Sequence, residues 1–293
     1  MTPTAATSGV RPGDTRRRLW LALKRAFTYT LPALWALFTF FCITWIVLAS
    51  FKTNRELFGD VWALPTSIQY KNYVNAWSLS KLGPQFVNSL ILVGSAVVLL
   101  TLISAPAAYV LSRKKFKGVG LLTSIFIAGA GVPLPLLFIP LFGLTAKLHI
   151  NNTLPGLIII YITVSIPFTM YLLTGFFKSL PSELEEAGRL DGCSEFGVFR
   201  YVMLPLASPG LITAAIFNFI ALWNEYMLAM VFLNDVNKMP ISRGLTGIAE
   251  SMQYTGNWVG LFAGVVIVMV PTIIMYVLLS RQLIEGITMG SRK

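Results

Sequence analysis

The stretch Glu186-Ala187-Gly188-Arg189-Leu190-Asp191-Gly192-Cys193 interrupts an otherwise apolar chain with charge and turn residues. Nine residues separate Gly192 from the sequel Val202-Met203-Leu204-Pro205. Upstream, Pro181 keeps the incoming chain out of helix. Ser182 is placed to cap a helix, with Glu185 closing a capping box. Glu183, Glu185 and Glu186 then occupy the first turns, where the helix dipole favours anions. Glu185 and Arg189 form an i, i+4 pair in the favoured order. Leu184, Ala187 and Leu190 make one apolar stripe, and Gly192 suits the left-handed residue that ends a helix. A second short helix is expected from Ser194, with Phe196, Phe199 and Met203 on its apolar face and Pro205 ending or kinking it. A Leu/Ala stripe ringed by acids fits a groove on a soluble partner. It equally fits an interfacial helix that only covers the ends of a bundle, and the residues alone leave both readings open.

The surroundings of this island are membrane-like. Of 293 residues, 55% are hydrophobic and only 12% are charged, against about 25% charged in soluble domains. Mean hydropathy is +0.71. So little polar surface cannot solvate a globule of this size. The net charge of +11 raises nucleic acid as a partner, but the bases flank apolar runs as membrane topology requires, so no nucleic-acid partner is expected. Cys42 lies in an apolar run and Cys193 in the island, which argues against a structural disulfide. One histidine, His149, and two separated cysteines supply no zinc or haem ligand set, so neither a metal site nor a catalytic residue is assigned. No G-x-x-x-x-G-K-[ST] is present, so the chain is not expected to bind ATP through a P-loop of its own.

Crossing the hydrocarbon core as a helix takes about 20 mostly apolar residues. Six runs qualify: Leu31–Ala49, Phe86–Leu111, Leu121–Leu144, Leu157–Phe176, Gly210–Phe232 and Leu261–Leu279. The predicted fold class is therefore an all-α integral membrane protein with six transmembrane helices. If the runs alternate in direction, 16 Lys and Arg residues fall on one side and 7 on the other. That bias puts both termini and the island in the cytoplasm. The chain then divides into a basic N-terminal tail (1–30), a first span and outer connection (31–85), a transmembrane core carrying the island at 182–205 (86–281), and a C-terminal tail (282–293). The tail is read as disordered to about Leu19. The connection from Phe51 to Pro84 carries Trp62, Tyr70, Tyr73 and Trp77, which suit an interfacial or short helical lid.

Pro106, Pro133, Pro135, Pro140, Pro167 and Pro271 fall within or near the runs. Each removes a backbone donor, and such breaks persist in lipid only where protein or a water-filled cavity covers them. They indicate simple kinks or a bundle bent around a path. Glu225 is the one charged residue inside a predicted span, a functional candidate by default. With Trp223, Asn224 and Tyr226 it either lines a path through the bundle or bonds neighbouring helices as a structural gate.

The island resembles the EAA loop of binding-protein-dependent ABC importer permeases, E-A-A-x-x-D-G-A-x8-I-x-L-P. Glu186, Ala187, Asp191, Gly192, Leu204 and Pro205 match, Val202 stands for Ile, and Gly188 and Cys193 stand where Ala is usual. Asn72-Tyr73 after Leu64-Pro65, Asn88-Ser89, Ala108-Tyr109 with Arg113, and Trp223-Asn224-Glu225 extend the likeness over nearly the whole chain after residue 30. The ending Gly286-x-Thr288-x-Gly290-x-x-Lys293 is similar to the tail of maltose-type sugar permeases, specifically the second, six-span subunit. The resemblance implies a type I importer fold in the bacterial cytoplasmic membrane. It implies a second homologous permease subunit, a dimer of cytosolic ABC ATPases that bind ATP and Mg, and an extracytoplasmic sugar-binding protein. Glu186, Ala187, Gly188, Asp191, Gly192, Leu204 and Pro205 would couple to the ATPases, with Gly290 as a further contact. The cargo would be a di- or oligosaccharide.

Two rival classes remain on the sequence. An ion-coupled secondary transporter would want inverted repeats with matched intramembrane acids, and Glu225 stands alone. A membrane-embedded enzyme would want a His/Asp/Ser or metal constellation in the spans, which His149 does not supply.

Overall fold

A computed structural model describes residues 12–79 and 81–291. Helix α1 is described over Pro12–Ser50, so it includes residues before Leu19 expected to be disordered. Its apolar part, Phe27–Ser50, is 24 residues long. Leu34, Phe38 and Phe41 on it are exposed, which suits a helix bathed in lipid. The chain then turns through α2 (Asn54–Gly59), capped by Thr53 and Glu56, and α3 (Lys71–Val74) with a π turn at Asn75–Leu79. Asn72 Nδ2 donates to the carbonyls of Ser50 and Lys52, 2.8 Å each, folding this connection back onto the end of α1.

The centre of the bundle is the pair α4 (Leu82–Arg113) and α7 (Leu154–Ser179). Lipid tails are as apolar as leucine, so helices associate there by close packing of small residues rather than by burial from water. Accordingly α4 buries Ala96, Ser104, Ala105 and Ala108. Leu92, Val93 and Leu100 of α4 pack with Leu157, Ile160 and Tyr161 of α7 toward one end of the bundle. Tyr109 packs with Met170, Leu173 and Phe177 toward the other. Pro106 and Pro167 lie inside these helices.

Two of the six expected spans are not single helices. The run Leu121–Leu144 splits into α5 (Val119–Ala130) and α6 (Phe138–Lys147), joined by a 3-10 turn at Leu134–Leu137. The two halves bend by 105°. Pro133 and Pro135 cause this, because neither can donate to a continuing helix, and Pro133 is extended. Pro140, in the first turn of α6, costs no bond there.

The run Gly210–Phe232 splits into α11 (Ser208–Trp223) and α12 (Met227–Phe232) around Asn224-Glu225-Tyr226. Between α7 and α11 lie the short helices α8 (Glu183–Leu190), α9 (Glu195–Gly197) and α10 (Leu204–Leu206), with a π turn at Val198–Met203. The chain closes with α13 (Ile241–Thr255) and α14 (Trp258–Ser291). Among the described residues, four helices are long and apolar enough to cross a membrane, or up to six if α5 with Leu134–Lys147, and Glu195–Leu206 with α11, are each one bent span. Helix α14 runs beyond the expected boundary at 282, and Gly290 sits in its last turn. Lys293 lies outside the described residues.

Candidate functional site

The island folds as two short helices across the ends of α4 and α7. Its start differs from expectation. Ser182 is helical in backbone and makes no side-chain cap bond. Its carbonyl instead accepts the N–H groups of Glu185 (3.0 Å) and Glu186 (3.2 Å). The capping box fails because the Glu185 carboxylate is claimed by stronger, charged partners. Arg113 Nε lies 2.8 Å from Glu185 Oε1, and Arg189 Nη2 lies 3.3 Å from Glu185 Oε2. Arg189 Nε reaches Glu195 Oε1 at 3.0 Å, and Lys114 pairs with the other oxygen of Glu195.

The result is an unbroken chain of alternating charge, Arg113–Glu185–Arg189–Glu195–Lys114, that begins and ends on the C-terminal end of α4. Arg113 also donates to the carbonyls of Leu180 (2.7 Å) and Pro181 (3.1 Å). The hydrogen bond from Lys114 holds the Glu195 carboxyl below its ordinary value.

Helix α8 ends as predicted at Gly192, with φ +85°. Cys193 N–H donates to Gly188 O (3.0 Å) and Gly192 N–H to Arg189 O (3.1 Å). This pair of bonds is the Schellman closure that a left-handed glycine permits. Gly188 is buried against the second half of the island: a Cβ there would lie 3.3 Å from Val202 Cγ2 and 3.4 Å from Val198 Cγ2. Ser194 caps α9 by accepting from Gly197 N–H at 3.1 Å.

Phe199 and Met203 are buried as expected, but Phe196 is 72% exposed and Val198 takes its place inside. The π turn shifts the register of side chains after Gly197, which a regular helical count cannot anticipate. Tyr109 of α4 packs at a tilt against Phe199 (5.1 Å between centroids) and edge-on against Phe177 (5.6 Å). Leu204 and Pro205 form the base of the island, where the chain bends by 69° into α11. One face is thus bonded to the bundle. The other presents Glu183, Glu186, Ala187 and Leu190 openly, with Leu190 88% exposed, and Asp191 and Gly192 at the tip.

The second candidate locus is the break in the fifth run. Glu225 Oε1 accepts the Leu228 N–H at 2.7 Å, and Oε2 accepts the Ala229 N–H at 3.3 Å and the Tyr161 hydroxyl at 3.0 Å. The side chain therefore satisfies the free donors at the start of α12 and ties it to α7. Glu225 also lines a cavity of about 570 Å³ with Thr163, Ser165, Phe168 and Leu228. Both readings of Glu225 meet here: it bonds helices and faces open space. Trp223 does not share that position. It is buried, its indole donates to Val268 O at 3.1 Å, and it stacks on Phe219. It supports the wall rather than lining it. Asn224 and Tyr226 are exposed on either side of Glu225, and Tyr226 lines a separate cavity of about 390 Å³ with Thr246 and Gln253. Among the described residues, no group of three or more His, Cys, Asp or Glu side chains could hold a metal ion. Cys42 and Cys193 are free.

Residues 98–283, which include the island and the break, match the family described as binding-protein-dependent transport system inner membrane component. The chain belongs to this family. It is a multi-pass transport permease subunit of the bacterial cytoplasmic membrane. The permease is 36% identical over 266 residues to the diacetylchitobiose uptake system permease protein NgcG of Streptomyces coelicolor, covering 91% of this chain and 88% of that one. It is 32% identical to AmyC, a probable starch degradation products transport system permease of Thermoanaerobacterium thermosulfurigenes, over 85% of this chain and 89% of that one. A chain from the crystal structure of a bacterial ABC transporter involved in the import of the acidic polysaccharide alginate shares the fold, with a TM-score of 0.74 at 24% identity. That match covers 94% of this chain and 99% of the other.

The residues that anchor the permease's island were only partly visible in its sequence. Glu185 and Arg189 announce themselves by spacing. Arg113 and Lys114 look like topology signals, and nothing local pairs them with the island. A cluster of bases with no acid beside it, facing an island with surplus acids, was the available sign.

Proposed function

We propose that this permease is one of two homologous pore-forming subunits of an ATP-driven importer for a di- or oligosaccharide. An extracytoplasmic binding protein delivers the sugar. Two separate ABC ATPases on the cytoplasmic side bind ATP and Mg, and this chain needs no cofactor of its own. The excess of bases flanking the island side supports placing it, with both termini, in the cytoplasm.

The observation that carries the reading is the two-faced build of the island. Its inner face is bonded to α4 through Arg113, Glu185, Arg189, Glu195 and Lys114. Its outer face, with Glu186, Ala187 and Leu190, is free. A docking element that is to move spans needs this combination. The ATPase grips the open face: Glu186 supplies a polar contact, Ala187 permits close approach, and Asp191-Gly192 shape the tip. The last turn of α14 at Gly290 is a second contact. When ATP closes the ATPase dimer, the island moves as a unit, and the ion chain carries that displacement to α4. ATP and the loaded binding protein shift the permease between inward and outward states only through their differential affinity for the two. The Glu225 recess, at the break of the fifth span, is the candidate wall of the path.

Sugar import by the relatives supports the cargo class. The test is co-purification of the permease with a P-loop ATPase, followed by uptake of a labelled sugar panel in cells. Stable isolation without any ATPase, or intact assembly and uptake in both Glu186→Lys and Gly192→Asp, would sink the docking assignment.

A further inference from the structure

The two split runs meet at the end of the bundle opposite the island. Helix α6 completes the third run and α12 the fifth, and both end there. Phe142 of α6 packs at a tilt against Phe232 of α12, with 6.1 Å between centroids. Helix α12 has only six residues, and a helix so short depends on its neighbours. Its place is set by what fastens its two ends.

Glu225 fastens the first end, through the Leu228 and Ala229 N–H groups and the Tyr161 hydroxyl of α7. Asn152, in the connection from α6 to α7, fastens the second. Its N–H donates to Phe232 O at 3.1 Å. Its Oδ1 accepts the N–H groups of Asn234 (3.0 Å) and Asp235 (3.1 Å), and its carbonyl accepts from Lys238 Nζ at 3.0 Å. Asn152 has φ +56°, a left-handed conformation that asparagine adopts more readily than most residues. In it the N–H, the carbonyl and the carboxamide all reach one loop. That loop is also tied to α4, where Asn88 Nδ2 donates to the carbonyls of Asn237 (2.8 Å) and Met239 (3.1 Å).

The fastened pieces cover the Glu225 recess. That cavity of about 570 Å³ is bounded by both breaks. Gly129, Leu134 and Leu141 line it from the third run, Glu225 and Leu228 from the fifth, and Thr163 from α7. Helices α6 and α12 therefore stand between the recess and the end of the bundle away from the island. Broken backbone at membrane depth is tolerated where it lines such a cavity, and the loose halves then need a fixed position.

We propose that Asn152 is the positioning residue that joins α6 and α12 into one roof over the Glu225 recess. For its role in transport the proposal rests on the reading of that recess as part of the sugar path. The backbone bonds of Asn152 belong to the turn, whereas the two bonds to Oδ1 belong to the side chain alone. Without them the far end of α12 is held less firmly, and the roof opens to the outer side more often, with no signal from ATP or binding protein.

The experiment uses the complete transporter in right-side-out and inverted membrane vesicles without nucleotide. Cys42→Ala and Cys193→Ala remove the native thiols, and Thr163→Cys places one in the recess. The labelling rate by a membrane-impermeant methanethiosulfonate is measured from each face. In Asn152→Gly the rate from the extracytoplasmic face rises about tenfold, the scale of one or two lost neutral hydrogen bonds in the opening equilibrium. The rate from the cytoplasmic face stays the same. Glycine adopts positive φ without strain, so this variant removes the carboxamide and keeps the turn. Asn152→Asp keeps an acceptor for both N–H groups and restores the slow rate. An unchanged outer rate in Asn152→Gly overturns the roof. So does any rise from the cytoplasmic face, the mark of general loosening, or a fast outer rate that persists in Asn152→Asp. Labelling reports access whether or not sugar passes. Sugar uptake by wild-type cells together with an unchanged outer rate in Asn152→Gly therefore overturns the fastening and leaves the importer reading intact. The expected labelling pattern without uptake of any sugar supports the roof and overturns the sugar path.

Discussion

Arg113 Nε stands 2.8 Å from Glu185 Oε1, with 12% and 8% of their side chains exposed. This ion pair joins the last residue of a long membrane helix to the first turn of the island. Removing one member of a buried pair leaves the other charge uncompensated, which costs about 3–5 kcal/mol. Arg113 keeps two carbonyl acceptors, so Glu185→Ala is expected at the lower end, about 3 kcal/mol. Thermal unfolding of the purified transporter measures this. A double-mutant cycle with Arg113→Ala should recover part of the loss. ATP hydrolysis in Glu185→Ala should continue with reduced sugar uptake, because the island still docks but is tied to α4 by charge only through Glu195 and Lys114.

Glu186 is exposed on the open face of α8. Glu186→Lys should change stability by no more than about 0.5 kcal/mol, as for most surface substitutions. Pull-down of the ATPase should nonetheless fail. A strong fall in melting temperature instead would mean the residue is structural.

Gly210 and Gly188 make a contrasting pair. A Cβ at Gly210 would overlap the Phe176 ring, where α11 crosses α7, whereas one at Gly188 would sit 3.3 Å from Val202 Cγ2. Gly210→Ala should lose about 1–3 kcal/mol through overpacking. Gly188→Ala gains about 0.8–1 kcal/mol in helix propensity, set against a small adjustment of Val202, and should stay near wild type. Parallel melting curves of the two variants decide this.

Tyr161→Phe removes the hydroxyl that donates to Glu225 and should cost about 1 kcal/mol, the scale of one hydrogen bond. Glu225→Gln should perturb the start of α12 similarly. If Glu225 also lines the sugar path, its variant alone should raise the half-saturating sugar concentration of uptake. Equal effects of both variants on uptake would assign Glu225 to structure only.

The Glu195 carboxyl titrates below its ordinary value of 4.5, chiefly through the hydrogen bond from Lys114. A depressed carboxyl contributes stability above its unfolded value and loses it as pH falls through the folded one. The melting temperature should therefore drop on acidification below pH 4.5, and Glu195→Gln should flatten that part of the profile. The same variant at neutral pH should resemble the acidified wild type.

The island was legible because its rules are local. Glu185 and Arg189 meet by helical spacing, and Gly192 ends the helix by its own conformational freedom. The apolar runs were legible for a similar reason, since a span is recognised by length and composition alone. The breaks were not. Asn224-Glu225-Tyr226 is flanked by apolar residues on both sides, so hydropathy reads through it. Whether a helix stops there depends on Glu225 finding Tyr161 and the free donors of α12. The 105° bend beside Pro133 and Pro135 was signalled by the prolines, but its size was not.

The class of molecule, the number of apolar runs and the turn-closed acidic island are all readable from local residue pattern. Each of these follows from residues within a few turns of one another. Which carboxylates face inward is set by packing between segments. Glu185 turns from its own helix start to Arg113, Phe196 turns out and Val198 in, and Trp223 withdraws into the core. Those choices depend on contacts between segments distant in sequence, where an ion pair or a packed side chain outweighs the local preference of about 1 kcal/mol.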